Sequence, residues 1–163
     1  MQPLFLLWLA GAVVCDLRWR KVPNLLVLAG MVGALLSLTF DAALPGLDWL
    51  TALLGALVAF AMLLPFYALG LMGAGDVKFA AALGLWLGLA PLAPIAIAGS
   101  LLAFLHALAV LALRRWPLSP RLMLMLSGRT PQGVTSLSAR RPIPYAAYLA
   151  LATFAWLAWR VPQ

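Results

Sequence analysis

The sequence predicts an all-α fold: a polytopic integral membrane protein of about six transmembrane helices, forming one membrane-embedded domain over residues 1–163. Three observations lead there. Of the 163 residues, 66% are hydrophobic and 9% charged, whereas a soluble domain carries about 25% charged and about 45 to 50% apolar residues. The apolar residues fall in runs approaching the roughly 20 residues that a helix needs to cross hydrocarbon. The basic residues lie between alternate runs, which gathers them on one side of a membrane. A mean hydropathy of +1.06 agrees, and a large water-soluble domain is excluded.

Taken in order, the runs are residues 3–17, 23–40, 49–70, 77–91, 93–113 and 143–160. The first resembles a signal-peptide core, but no basic residue precedes it and Arg18, Arg20 and Lys21 follow it. That charge order belongs to a retained helix inserted with its N-terminus outside. Val13 and Val14 ahead of Cys15 also argue against a lipoprotein site. Pro23-Asn24 marks the start of the second run, and Pro45-Gly46 sits in the loop before the third. Gly70, Gly73 and Gly75 separate the third from the fourth, and Pro91 with Pro94 separates the fourth from the fifth. No internal repeat is visible. Residues 114–142 form the one long polar stretch, expected to be a cytoplasmic loop that is flexible over residues 127–138 and rests residues 122–126 on the membrane surface.

With the N-terminus outside, Arg18, Arg20, Lys21, Lys78, Arg114, Arg115, Arg121, Arg129, Arg140 and Arg141 all fall in the cytoplasm. Arg160, Asp41 and Asp48 fall outside. The positive-inside rule therefore orients the chain, and it explains the net charge of +7 better than a nucleic-acid surface does, so no nucleic-acid partner is expected. Trp19, Trp49, Trp116, Trp156 and Trp159 lie near run ends, as interfacial indoles do. The single cysteine, Cys15, excludes an intrachain disulfide and a thiolate metal site, so no metal and no cofactor are expected.

The chain has four acidic residues, all aspartates. Asp41 and Asp48 belong to a short turn-rich loop and read as solvated. Asp16 and Asp76 stand at the edges of apolar runs, on the same side of the membrane. Ionisable groups there are expensive, about 2.5 to 3.5 kcal/mol at mid-bilayer, and are functional candidates by default. Taken singly, each also reads as a local ion pair, Asp16 with Arg20 and Asp76 with Lys78. Taken together, two carboxylates without a rival nucleophile suggest an aspartyl protease: one member takes a proton from water while the other, protonated, polarises the peptide carbonyl. Gly73 and Gly75 weaken the helix by about 1 kcal/mol each and allow an irregular backbone. Such backbone survives at membrane depth only beside protein or a water-filled cavity.

At this point the chain resembles the type IV prepilin peptidases. Gly73-Ala74-Gly75-Asp76-Val77-Lys78-Phe79 matches their GxGD motif, and Asp16 followed by Arg18, Arg20, Lys21, Val22, Pro23 and Asn24 resembles their other aspartate motif. Pro65-Phe66-Tyr67 and Ile143-Pro144-Tyr145 are similar to further family features, with Ala146 where many members carry Gly. The resemblance implies removal of the short basic leader from prepilins at the cytoplasmic face of the bacterial inner membrane, with Asp16 and Asp76 catalytic. Because the sequence begins at its first apolar run and has one cysteine, it resembles the short branch serving Flp-type (Tad) pili, without the zinc-bearing extension or N-methylation of the bifunctional members. The partners so implied are a type IVb prepilin and the lipid bilayer.

Other residues read more plainly. Lys78, two residues from Asp76, does not share its helix face and is expected to snorkel. Asn24 is expected to start a helix, and His106 to be a hydrogen-bonded structural histidine. A small ion or proton transporter subunit would need repeats or a polar stripe through the helices, and neither is visible. A non-enzymatic pilus assembly factor would leave both aspartates replaceable.

Overall fold

The computed structural model describes residues 3–115 and 144–160. Among these residues the chain is all-helical, with six helices: α1 Pro3–Trp19, α2 Asn24–Thr39, α3 Trp49–Ala68, α4 Ala74–Leu87, α5 Leu92–Arg115 and α6 Tyr145–Arg160. Each falls on one expected run. By length and apolarity, however, two stretches among the described residues can cross a membrane, α3 and the Leu92–Ala112 part of α5. Most of the expected loop 114–142, with Trp116 in it and Ile143 beside it, lies outside the described residues.

The helix ends follow from local chemistry. Arg20 takes the left-handed conformation with φ 53 and ends α1, its N–H donating to the Asp16 carbonyl at 2.8 Å. Asp41 does the same after α2 with φ 50, and the Ala42 N–H closes back on the Ser37 carbonyl at 2.8 Å, a Schellman arrangement. Gly70, with φ 70, ends α3 in the same way. Asp48 caps α3: its carboxylate accepts from the Thr51 N–H at 3.1 Å while the Thr51 hydroxyl accepts from the Asp48 N–H at 3.2 Å. The Thr51 hydroxyl, then the Thr51 amide, hold the Asp48 carboxyl below the ordinary carboxylate range. A depressed folded-state value stabilises the fold above the ordinary range, and that contribution fades as pH falls through the depressed value. Asp41 and Asp48 therefore have architectural duties at helix ends.

One boundary corrects the sequence reading. Gly70, Gly73 and Gly75 were expected to lie in the break between the third and fourth runs, with the fourth starting at 77. Instead α4 begins at Ala74, so Gly75, Asp76, Val77 and Lys78 are helical. Asp76 is the reason: as the third residue of the helix it accepts from the N–H of Gly73, the residue before the helix, at 3.3 Å. This satisfies an otherwise orphaned donor. Gly73 has φ −78, so the glycine pair does not use left-handed freedom.

Helices α1, α2, α4 and α6 form a ring, each packed on its two neighbours, while α3 packs on α4 and α5 on α6. α4 is buried along almost its whole length, from Asp76 to Leu87 with Lys78 excepted. Its core partners include stacked rings: Trp8 against Phe79 at 5.0 Å and Phe5 against Trp86 at 4.8 Å. Trp8 lies flat over Gly30, where an added Cβ would sit 2.2 Å from the indole, and its Nε1 donates to the Leu26 carbonyl at 2.8 Å. α3 reaches α4 by backbone contact, since a Cβ on Gly84 would lie 2.5 Å from the Gly55 carbonyl carbon. The outer faces are apolar, with Leu7, Leu25, Leu57, Met62, Ile97 and Leu101 all exposed. Trp19, Trp49 and Trp159 are exposed at the ends of α1, α3 and α6.

Candidate active site

Where α1 ends and α2 and α4 begin, the chain encloses a cavity of about 750 Å³. Asp16, Gly73, Gly75, Asp76, Lys78 and Asn24 all line it, with Arg18 from the last turn of α1 and Arg20 and Lys21 from the connection between α1 and α2. Two stretches separated by some fifty residues of sequence thus meet because α1 and α4 face each other across the ring. Pro23 is the exception: it is not part of the lining, and its carbonyl starts α2 by accepting from the N–H groups of Leu26 and Val27 at 3.0 and 3.2 Å.

Both carboxyls are buried, Asp16 3% and Asp76 8% exposed, and both are held by the first turn of α6. The N–H of Ala146 donates to Asp76 Oδ1 at 3.2 Å and that of Ala147 to Asp16 Oδ2 at 2.8 Å. A helix leaves its first four N–H groups without internal partners, and these carry the positive end of the helix dipole. Consecutive amides lie side by side, and the two carboxyls they hold are close enough for their charges to interact. Asp76 Oδ2 takes the Gly73 N–H besides. A Cβ on Gly73 would come 3.3 Å from that same oxygen, so the missing side chain leaves room for the carboxylate.

The local pairings read from the sequence hold only in part. Arg20 is near enough to Asp16 for its charge to act there. Lys78 is exposed, and its ammonium donates to Asn24 Oδ1 at 3.3 Å, tying α4 to the start of α2 beside the cavity. Asn24 is the first residue of α2, as expected, but its carboxamide receives Lys78. His106 packs its ring against Tyr148 at 5.8 Å, on the side of α6 that faces α5. The sequence reading passed over Ala147, and it noted Ala146 only as standing where many members of the resembled family carry Gly. Pro144, fully buried and immediately ahead of α6, was the available sign, because proline marks helix starts. Among the described residues, no group of three or more His, Cys, Asp and Glu side chains gathers as a metal site would require.

Two buried carboxyls lining one cavity, with amides holding an oxygen of each, are equipped for proton transfer to and from one bound molecule. The model of the type IV leader peptidase family matches residues 3–108, a stretch that contains both aspartates and stops before α6. No curated protein and no solved structure matches the chain.

Proposed function

We propose that this chain, which belongs to the type IV leader peptidase family, removes the basic leader from Flp-type (type IVb) prepilins by aspartyl catalysis at Asp16 and Asp76. Membership makes it a prepilin-type peptidase in general terms, and two membrane-capable helices in such a chain point to a membrane protein. The observation that carries the finer reading is the pair of adjacent amides, Ala147 on Asp16 and Ala146 on Asp76. Two carboxylates so close do not ionise together cheaply, so they share one proton.

In the proposed mechanism the ionised member removes a proton from water, and the water oxygen attacks the scissile carbonyl carbon. The protonated member donates to the carbonyl oxygen. The tetrahedral intermediate then expels the amine, which takes the proton gained from water, while a hydroxyl of the intermediate gives its proton back to the other carboxylate as the carbonyl re-forms, so the dyad returns half-ionised. No covalent acyl-enzyme forms. The amides of Ala146 and Ala147 keep both carboxyls in place through the cycle, which spares reorganisation at the moment of reaction. Gly73 contributes space. Gly73→Ala presses on Asp76 Oδ2 from 3.3 Å, and a misplaced carboxyl is expected to lower kcat about tenfold. Steady-state kinetics below the melting range of the variant measure this; an unchanged kcat means that the carboxyl yields without consequence.

We place the dyad at the cytoplasmic face of the bacterial inner membrane, in a six-span domain with both termini outside. The basic residues beside the cavity, Arg18, Arg20, Lys21 and Lys78, support that orientation through the positive-inside rule. In a Cys15→Ala background, Ala42→Cys is expected to react with a membrane-impermeant thiol reagent added to intact cells, and Lys21→Cys only after permeabilisation. The opposite pattern reverses the orientation. The function itself is tested by co-expression with a Flp-type prepilin, reading precursor against mature size: conversion that requires this chain supports it, and unconverted precursor beside folded, inserted protein defeats it.

A further inference from the structure

We infer that α5 assembles the dyad by setting the register of α6, and that Tyr145 and its partner Ser100 are positioning residues for the reaction. The inference rests on the dyad reading above, and it concerns contacts that lie away from the cavity. The two amides that hold the carboxyls belong to Ala146 and Ala147, so any rotation or slide of α6 moves both donors at once. α6 packs against α1 and α4, which carry the aspartates, and its other neighbour is α5. Among the described residues, and apart from slight contacts, α5 packs on α6 alone.

The junction between α5 and α6 is specific. Gly99 brings the helices close, since an added Cβ would lie 3.0 Å from Leu149 Cδ2 and 3.3 Å from the Leu149 backbone. One residue on, Ser100 Oγ and Tyr145 Oη share a hydrogen bond of 3.1 Å. A turn and a half further along α5, His106 packs on Tyr148 at 5.8 Å between ring centroids. Tyr145, Tyr148 and Leu149 bracket Ala146 and Ala147 within little more than one turn of α6. The close approach at Gly99 acts as a pivot, and the Ser100–Tyr145 pair stops rotation about it. Ser100 lies within the Leu92–Ala112 stretch that is apolar enough for hydrocarbon. A hydroxyl on such a stretch commonly pairs with a neighbouring helix, as Ser100 does with Tyr145.

The test uses the full chain, purified and reconstituted in lipid with a prepilin substrate, for Tyr145→Phe, Ser100→Ala, the double variant and Ser100→Thr. Tyr145→Phe and Ser100→Ala are expected to lower kcat about tenfold with KM little changed, because the substrate still docks while the dyad is misaligned. The double variant should be no worse than either single one, as both remove the same bond, and Ser100→Thr, which keeps a hydroxyl, should retain activity. A purely structural role would lower the thermal midpoint and leave the kcat of the folded fraction unchanged; that result, or additive losses in the double variant, overturns the inference. Should Tyr145→Phe not accumulate in folded form, Ser100→Ala against Ser100→Thr decides by itself. Asp16→Asn and Asp76→Asn run alongside: if they cleave normally the dyad reading fails, and if they are inert while Tyr145→Phe and Ser100→Ala keep wild-type kcat, the positioning inference alone fails.

Discussion

Asp16→Asn and Asp76→Asn are each expected to lower prepilin cleavage by about 10²- to 10⁴-fold, the range that general acid–base groups supply. Asparagine keeps the size of the side chain and a carbonyl oxygen that still accepts from Ala147 or Ala146. The fold should therefore survive, while the pair loses the half-ionised state on which the mechanism depends. The other two aspartates are built-in controls. Asp48→Asn remains a good helix cap, and Asp41→Asn places at φ 50 a residue type that tolerates the left-handed region; both should process substrate at close to the wild-type rate. The measurement is conversion of precursor to mature pilin by purified variants whose folding and insertion are verified first. Near wild-type conversion by Asp16→Asn or Asp76→Asn would sink the protease mechanism and favour an assembly factor.

The largest expected effect on stability comes from Gly84→Val. The first added carbon would lie 2.5 Å from the Gly55 carbonyl carbon and 2.7 Å from the Ala56 nitrogen. These are backbone atoms, which cannot rotate aside, so the helices themselves must separate. Overpacking against side chains costs about 1 to 3 kcal/mol, occasionally more, and a backbone obstacle belongs at the upper end. Since α4 is the one helix on which α3 packs extensively, the displacement should loosen α3 and disturb Asp76 at the far end of α4. A fall in the thermal midpoint in detergent and weaker cross-linking between cysteines placed on α3 and α4 would register it. Gly11→Ala, whose Cβ would meet only Leu26 Cδ1 at 3.5 Å, is the matched control. If Gly84→Val melts with the control, the α3–α4 crossing is not rigid.

The sequence by itself determined the helix inventory, because the alternation of apolar runs with Pro, Gly and charged residues is a local signal. It also determined which acids were candidates: four aspartates are few, and Asp41 and Asp48 share a short turn-rich loop, which leaves Asp16 and Asp76. Other features are decided by neighbours that no local pattern names. The start of α4 moved from 77 to Ala74 because the Asp76 carboxylate reaches back to the Gly73 N–H. Lys78 found Asn24 because α2 and α4 lie side by side. In the same way, an apolar run reads alike whether it faces lipid or protein, and only packing made α4 the buried helix while α3 stayed exposed. Gly55 and Gly84 look like ordinary small residues until two backbones are brought together. Most of all, the groups that hold Asp16 and Asp76 are backbone amides, which every residue but proline carries. Side-chain chemistry therefore identified the two carboxyls, while the tertiary fold alone decided that the open N–H groups of Ala146 and Ala147 would meet them.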